Sequence, residues 1–243
     1  MLAALGSAAM PAIAGCTGSS DGGTGGTTDA ASTPTQTHTM EQETAQQSNG
    51  QSVDQRFGYV GTNDQDPPVE PDHTVEMVIE PRDDAWLPEF YFEPVGLAIE
   101  PGDTVRFNMA SPHHNINGYH PAFGYTQRVP EGVPPYSSPI LTVGDYWLYT
   151  FETEGVHNIM CAPHELFGMV GAIVVGSPTG PAANPVGEAP APTEQSRPPE
   201  FTAGLVLSDP ALAPETIAEA GSVSWQDLNP ESKVPRLAPI GEE

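Results

Sequence analysis

An all-β sandwich over residues 72–177 is the fold class that the sequence predicts, with flanks that contribute little core. Two observations carry this. Between 74 and 176, short runs rich in β-branched and aromatic residues are punctuated by Gly and Pro turns, without βαβ alternation and without an amphipathic helix of useful length. The 28 Pro and 25 Gly of the 243 residues make up about a fifth of the chain, more turn-forming residue than a helical fold would carry. The expected organisation is a leader over 1–16, a flexible linker over 17–71, the sandwich over 72–177, and a Pro-rich C-terminal extension over 178–243.

In chain order, 1–15 (MLAALGSAAMPAIAG) is apolar, rich in small residues and too short to span a bilayer. Ile13-Ala14-Gly15-Cys16 resembles a lipobox, in which Cys16 becomes the lipidated first residue of the mature protein. No Lys or Arg precedes the apolar run, as a translation start placed too late would explain. Residues 17–71 are Gly, Ser, Thr, Gln and Asp with few apolar side chains, which cannot offset the entropy of ordering them. A flexible stalk of that length reaches roughly 40 Å.

Within the predicted sandwich, 74–80 (TVEMVIE) is a β-rich run, and 85–92 holds Trp86, Phe90, Tyr91 and Phe92. Val95 to Ile99 precedes the turn Pro101-Gly102-Asp103. Residues 104–109 then alternate, with Val105, Phe107 and Met109 on one face and Arg106 and Asn108 on the other. Residues 145–151 are aromatic and strand-like, Glu154-Gly155 turns the chain into 156–160, and Val170 to Val175 closes the set. Beyond it, a short helix is expected over 209–220, with Ser208-Asp209-Pro210 at its start and Gly221 at its end. Trp225 is either an anchor for a partner or a side chain packed on its own domain.

The chemistry concentrates in 158–176, where Cys161, His164 and Met169 stand at a Cys-x2-His-x4-Met spacing ahead of an apolar run. A thiolate, an imidazole and a thioether on one loop, with a second His from elsewhere, are the donors of a blue-copper site. The thiolate is polarisable and the thioether is a weak axial donor, so the set accepts Cu(I) and Cu(II) alike. The second His precedes Cys161, with His113, His114, His120 and His157 as candidates. His157, four residues before Cys161 in a strand, cannot easily turn to the same metal and reads as structural or surface. Spacing does not decide between His113 and His114.

Residues 97–176 resemble the small blue-copper proteins, the cupredoxins, and among them the pseudoazurin, halocyanin and plastocyanin groups. The likeness rests on Pro101 to Phe107 as a Pro-Gly-Asp-x-Val-x-Phe strand, on His114-Asn115, on the loop from Val129 through Ser138, and on Cys161 to Gly171 as Cys-x-Pro-His-x4-Met-x-Gly. It implies a cupredoxin-like Greek-key sandwich with one copper held by His114, Cys161, His164 and Met169. Asn115 and Pro163 are implied supports of the ligand loops. Ala162 departs from the pattern, since relatives often carry Thr or Ser there to link the two loops by a hydrogen bond. The edge of His164 is expected in an apolar patch lined by Pro163, Leu166 and Phe167, a docking surface for redox partner proteins.

The 7 Lys and Arg against 32 Asp and Glu give a net charge of −25, which excludes nucleic acid as a partner. The same balance resembles proteins of salt-loving archaea. The two cysteines suit different tasks, and no disulfide is expected. A copper enzyme relaying electrons onward would need a Cys-His dipeptide, and Ala162 follows Cys161. A binuclear copper centre needs two neighbouring cysteines, and zinc gives Met169 no role. The expectation is therefore a non-enzymatic electron carrier, lipid-anchored at Cys16 on the extracytoplasmic face of the membrane. The alternative is a copper-binding accessory or storage module, or a domain associated with a copper oxidoreductase.

Overall fold

The computed structural model describes residues 52–83, 85–188, 191 and 193–236. Cys16 and the lipobox-like segment lie outside the described residues. Among the described residues, ten strands form two five-stranded sheets. They are β1 (Tyr59–Thr62), β2 (His73–Glu80), β3 (Glu89–Glu93), β4 (Gly96–Ile99), β5 (Thr104–Met109), β6 (Asn117–Gly118), β7 (Asp145–Thr150), β8 (Gly155–Met160), β9 (Val170–Val175) and β10 (Ser222–Val223). The first sheet runs β1-β7-β5-β2-β3 and the second β10-β4-β9-β8-β6. The pairs β2–β5 and β4–β9 are parallel, and the other pairings are antiparallel.

The alternation of β5 explains the face it buries. Val105, Phe107 and Met109 point inward, while Arg106 turns out to lie 4.1 Å from the ring centroid of Tyr146. Val75 and Met77 of β2, Trp147 and Tyr149 of β7, Ile159 of β8 and Ile173 and Val175 of β9 complete the core between the sheets. Cys161 and Met169 belong to that same core, so the ligand loop is anchored on two strands that are themselves fully buried.

Two boundaries differ from the expectation. Composition places residues 17–71 in a linker, yet β1 lies inside that range and pairs with β7, Tyr59 opposite Leu148 through Thr62 opposite Asp145. Trp147 Nε1 donates to Phe57 O at 2.7 Å and the Tyr149 hydroxyl to Gln55 O at 3.0 Å. The composition hides this strand because Gly61 has to sit on the Tyr146 ring, where a Cβ would come within 2.3 Å of it.

The second difference is in 178–243, which composition places in a linker and extension. Here α1 (Phe201–Leu207) and α2 (Pro214–Ala220) cover the outer face of the second sheet. The helix expected over 209–220 is split. A 3₁₀ turn, Pro210–Leu212, is capped by Asp209 and ends before α2 begins at Pro214, whose ring forbids a continuous helix. Trp225 packs on its own domain, stacked on Tyr91 at 5.2 Å with Nε1 donating to Glu89 Oε2 at 3.0 Å. Among the described residues no helix is long and apolar enough to cross a membrane.

Candidate metal centre

Two loops meet at one end of the sandwich. The first, between β5 and β6, is held by backbone exchange between His114 and Leu141, each N–H donating to the other's carbonyl at 3.2 and 2.8 Å, and by Ile116 N donating to Ser138 Oγ at 2.9 Å. The second joins β8 to β9 through the 3₁₀ helix Ala162–Phe167. It is closed by His164 N to Cys161 O at 3.0 Å, Met169 N to His164 O at 3.2 Å and Cys161 N to Met169 O at 3.0 Å.

These loops bring three donor atoms together. His114 Nδ1 lies 3.7 Å from Cys161 Sγ, His164 Nδ1 lies 3.4 Å from Cys161 Sγ, and the two Nδ1 atoms are 3.2 Å apart. A point equidistant from the three is roughly 2.0 Å from each, close to the length of first-row metal bonds to imidazole and thiolate. No other trio of His, Cys, Asp or Glu side chains among the described residues forms a metal-sized group. Met169 is fully buried beside them, its backbone tied to both Cys161 and His164. The donor set fits copper, being one soft sulfur and two imidazoles, with a buried Met on the same loop as Cys161 and His164.

The surroundings prepare these atoms. Ser111 Oγ donates to Met77 O at 3.1 Å and lies 2.9 Å from His114 Nε2, so Nε2 carries the proton and Nδ1 keeps its lone pair for the metal. Burial, and then the charges of His164 and His113, lower the His114 pKa to about 4, which keeps the ring neutral. Burial likewise lowers that of His164. Burial raises the Cys161 thiol to about 11, so the thiolate forms only where a cation compensates it. Asn115 N donates to Cys161 Sγ at 3.5 Å, and Asn115 Oδ1 accepts from Ala162 N at 2.9 Å. The two ligand loops are thus linked without a hydroxyl at position 162.

The other candidate residues are placed as follows. His113 is exposed, with φ 71°, and lies outside the cluster. His120 caps a 3₁₀ turn, accepting from Ala122 N. His157 is buried in the core rather than at the surface. Pro163 and Leu166 are exposed. Phe167 is half-buried and stacks on Phe90 at 5.1 Å, so it belongs as much to the core edge as to a surface patch. Four groups escape a reading of the sequence: Ser111, the Phe90 ring stacked on His164 at 4.5 Å, the Glu165 carboxylate, and Arg197 bonded to it. Of these, Phe90 at least stands in the aromatic run 85–92.

Residues 84–176 match the family of copper binding proteins described as plastocyanin/azurin. They are a copper-binding domain of that family. Over 105 residues the chain is 33% identical to a putative pseudoazurin of Rhizobium leguminosarum bv. viciae, which spans 43% of this chain and 60% of that protein. Over 87 residues it is 32% identical to a pseudoazurin of Methylorubrum extorquens, 35% of this chain and 51% of that protein. The chain thus spans between half and two thirds of these curated relatives. The crystal structure of native pseudoazurin from Hyphomicrobium denitrificans aligns at 31% identity over 44% of this chain and 76% of that one, with a TM-score of 0.35.

Proposed function

We propose that this protein carries single electrons between redox partner proteins on one copper held by His114, Cys161, His164 and Met169. The observation that carries this is the convergence of His114 Nδ1, Cys161 Sγ and His164 Nδ1 within metal-bonding reach of one point. Copper, when bound, supplies a one-electron Cu(I)/Cu(II) couple. The chain's own part is to hold the donors still. Both loops are pinned by backbone bonds, and Ser111 and Phe90 fix the two imidazole planes. A donor set held in one arrangement changes little between the two oxidation states, which keeps the barrier to transfer low. Four donors around one ion leave no position for a substrate, in keeping with a carrier rather than an enzyme.

Leu166 is 42% exposed beside half-buried His164, which suits brief docking of a partner near the metal. Anchoring at Cys16 on the extracytoplasmic face of the membrane belongs to the same proposal, supported by the Ile13–Cys16 sequence alone. Its check is mass spectrometry of the mature N-terminus: a Cys16→Ala chain that stays in the membrane fraction would refute the anchor. For the carrier function, the copper-loaded protein is titrated potentiometrically while its visible spectrum is followed. An intense thiolate-to-copper band that bleaches and returns with one electron per chain is expected. A colourless stoichiometric copper complex would instead indicate storage.

A further inference from the structure

Glu165 follows the ligand His164 directly, and its carboxylate is buried although the metal does not need it. A buried carboxylate is tolerated only when its lone pairs are met, and here four donors meet them. Oε1 accepts from the Tyr119 hydroxyl at 2.9 Å and from Glu200 N at 3.1 Å. Oε2 accepts from the Tyr125 hydroxyl at 2.8 Å and from Arg197 Nη2 at 3.1 Å.

Arg197 is itself fixed. Nη1 pairs with Glu200 Oε1 at 2.6 Å, the guanidinium lies 4.1 Å from the centroid of the Tyr125 ring, and Nη2 also bonds the Tyr125 hydroxyl. Its backbone joins that of 124–126, with Arg197 N donating to Gly124 O at 2.9 Å and Thr126 N to Arg197 O at 2.8 Å. Burial raises both phenol pKa values, so Tyr119 and Tyr125 remain donors.

The same C-terminal segment touches the ligand turn at a second place. Gly168 ends the turn with φ 93°, and a Cβ there would sit 3.1 Å from Thr202 Cγ2 and 3.3 Å from Val206 Cγ2, both on α1. The turn between His164 and Met169 is therefore held at Glu165 from one side and capped by α1 at Gly168. Gly168 N donates to Glu165 O at 2.9 Å, which makes the two contacts mechanically one.

We propose that Glu165 and Arg197 are positioning residues for the metal centre, through which the C-terminal segment sets the place of His164. This rests on the copper site proposed above. The test compares Arg197→Ala, Arg197→Lys and the unaltered full-length chain. Without metal, hydrogen exchange of the His164, Gly168 and Met169 amides is expected to quicken about 10-fold in Arg197→Ala, the effect of losing a charge-assisted hydrogen bond. With copper, affinity should fall about 10-fold, as for other groups that orient metal ligands, and the reduction potential should shift. Arg197→Lys should restore all three part-way.

A lower melting temperature with exchange, affinity and potential unchanged would make the cluster purely structural and overturn the proposal. Faster exchange with affinity and potential unchanged would overturn it too, since the loop would then move without moving His164. Should Arg197→Ala not fold, Tyr125→Phe, which keeps the ring and removes one donor, is judged by the same criteria. The metal-free exchange decides whether the clamp holds the loop even if the copper site fails, and the visible spectrum of the unaltered chain decides the copper site alone.

Discussion

At Cys161 the sulfur accepts from Asn115 N and faces two imidazole nitrogens. Replacing it by Ser keeps the volume but removes the soft donor. Cys161→Ser should still fold, at a cost of about 1 kcal/mol of stability, and lose the intense visible band of the copper form. A variant that stayed blue would remove Cys161 from the site. His113→Ala and His114→Ala give a sharper residue-level check, because the structure puts the first ring in solvent and the second against the thiol. His114→Ala alone should lose the intense visible band, and loss in His113→Ala would move the ligand by one residue. His157 permits a prediction of a different kind. Its Nε2 donates to Thr153 O at 3.0 Å, while its Nδ1 is buried with no partner for a second proton. Burial accordingly lowers its pKa from the usual 6.5 to about 4. Between about 6.5 and about 4 the unfolded chain binds the proton and the folded chain does not, so stability falls as pH falls through that window. The effect is absent above it, is complete below it, and is on the order of 3 kcal/mol at about 1.4 kcal/mol per pH unit. Urea midpoints measured from pH 7 to 4 should show His157→Phe losing less stability than the unaltered chain. Parallel curves would show that His157 titrates normally in the fold.

Among the elements, β1 is the one whose removal is most informative. It closes the open side of β7, and its approach supplies acceptors to the Trp147 indole and the Tyr149 hydroxyl. A chain beginning at residue 67 should lose about 2–4 kcal/mol, the scale of two hydrogen bonds and the apolar cover over Trp147. An unchanged urea midpoint would return these residues to the linker that composition suggests. The element scale also shows which parts of the molecule are legible in the sequence. The alternation in 104–109 and the Cys-x2-His-x4-Met spacing are local signals, and the structure has β5 and the donor cluster at those places. The outer layer is hidden because its cause is distant. Val170 to Val175 is buried at every position, and an unbroken apolar run is the mark of a strand covered on both faces. Taken that way, it calls for a layer over Val170, Ala172 and Val174, which α1, α2 and Trp225 supply. Glu165 is illegible for a related reason, since an acidic residue in a loop normally faces water. Its donors come from residues 119, 125, 197 and 200, which no local pattern connects.

For the whole molecule, charge weighs most. Against 32 acidic residues stand 7 Lys and Arg, and two of those do little for the surface: Arg128 is buried, and Arg197 is occupied by Glu165 and Glu200. Folding gathers the acidic side chains into a smaller volume than the unfolded chain allows, so their mutual repulsion opposes the compact state. Salt weakens that repulsion. The screening length shortens from about 10 Å at 0.1 M to about 3 Å at 1 M, below the usual spacing of surface carboxylates. The melting temperature at pH 7 should therefore rise between 0.1 and 1 M NaCl, by about 2–4 °C for each kcal/mol of repulsion relieved in a chain of this size. Salt also strengthens apolar burial in general, and pH separates the two causes. Near the sequence pI of about 4.2 the net charge vanishes, so a gain due to screening should largely disappear there, while a gain due to apolar burial should persist. Each comparison is made at fixed pH, so the His157 contribution cancels. Calorimetric melting at the two salt concentrations and the two pH values decides it, and an equal gain at both pH values would show that the acidic surface does not limit stability.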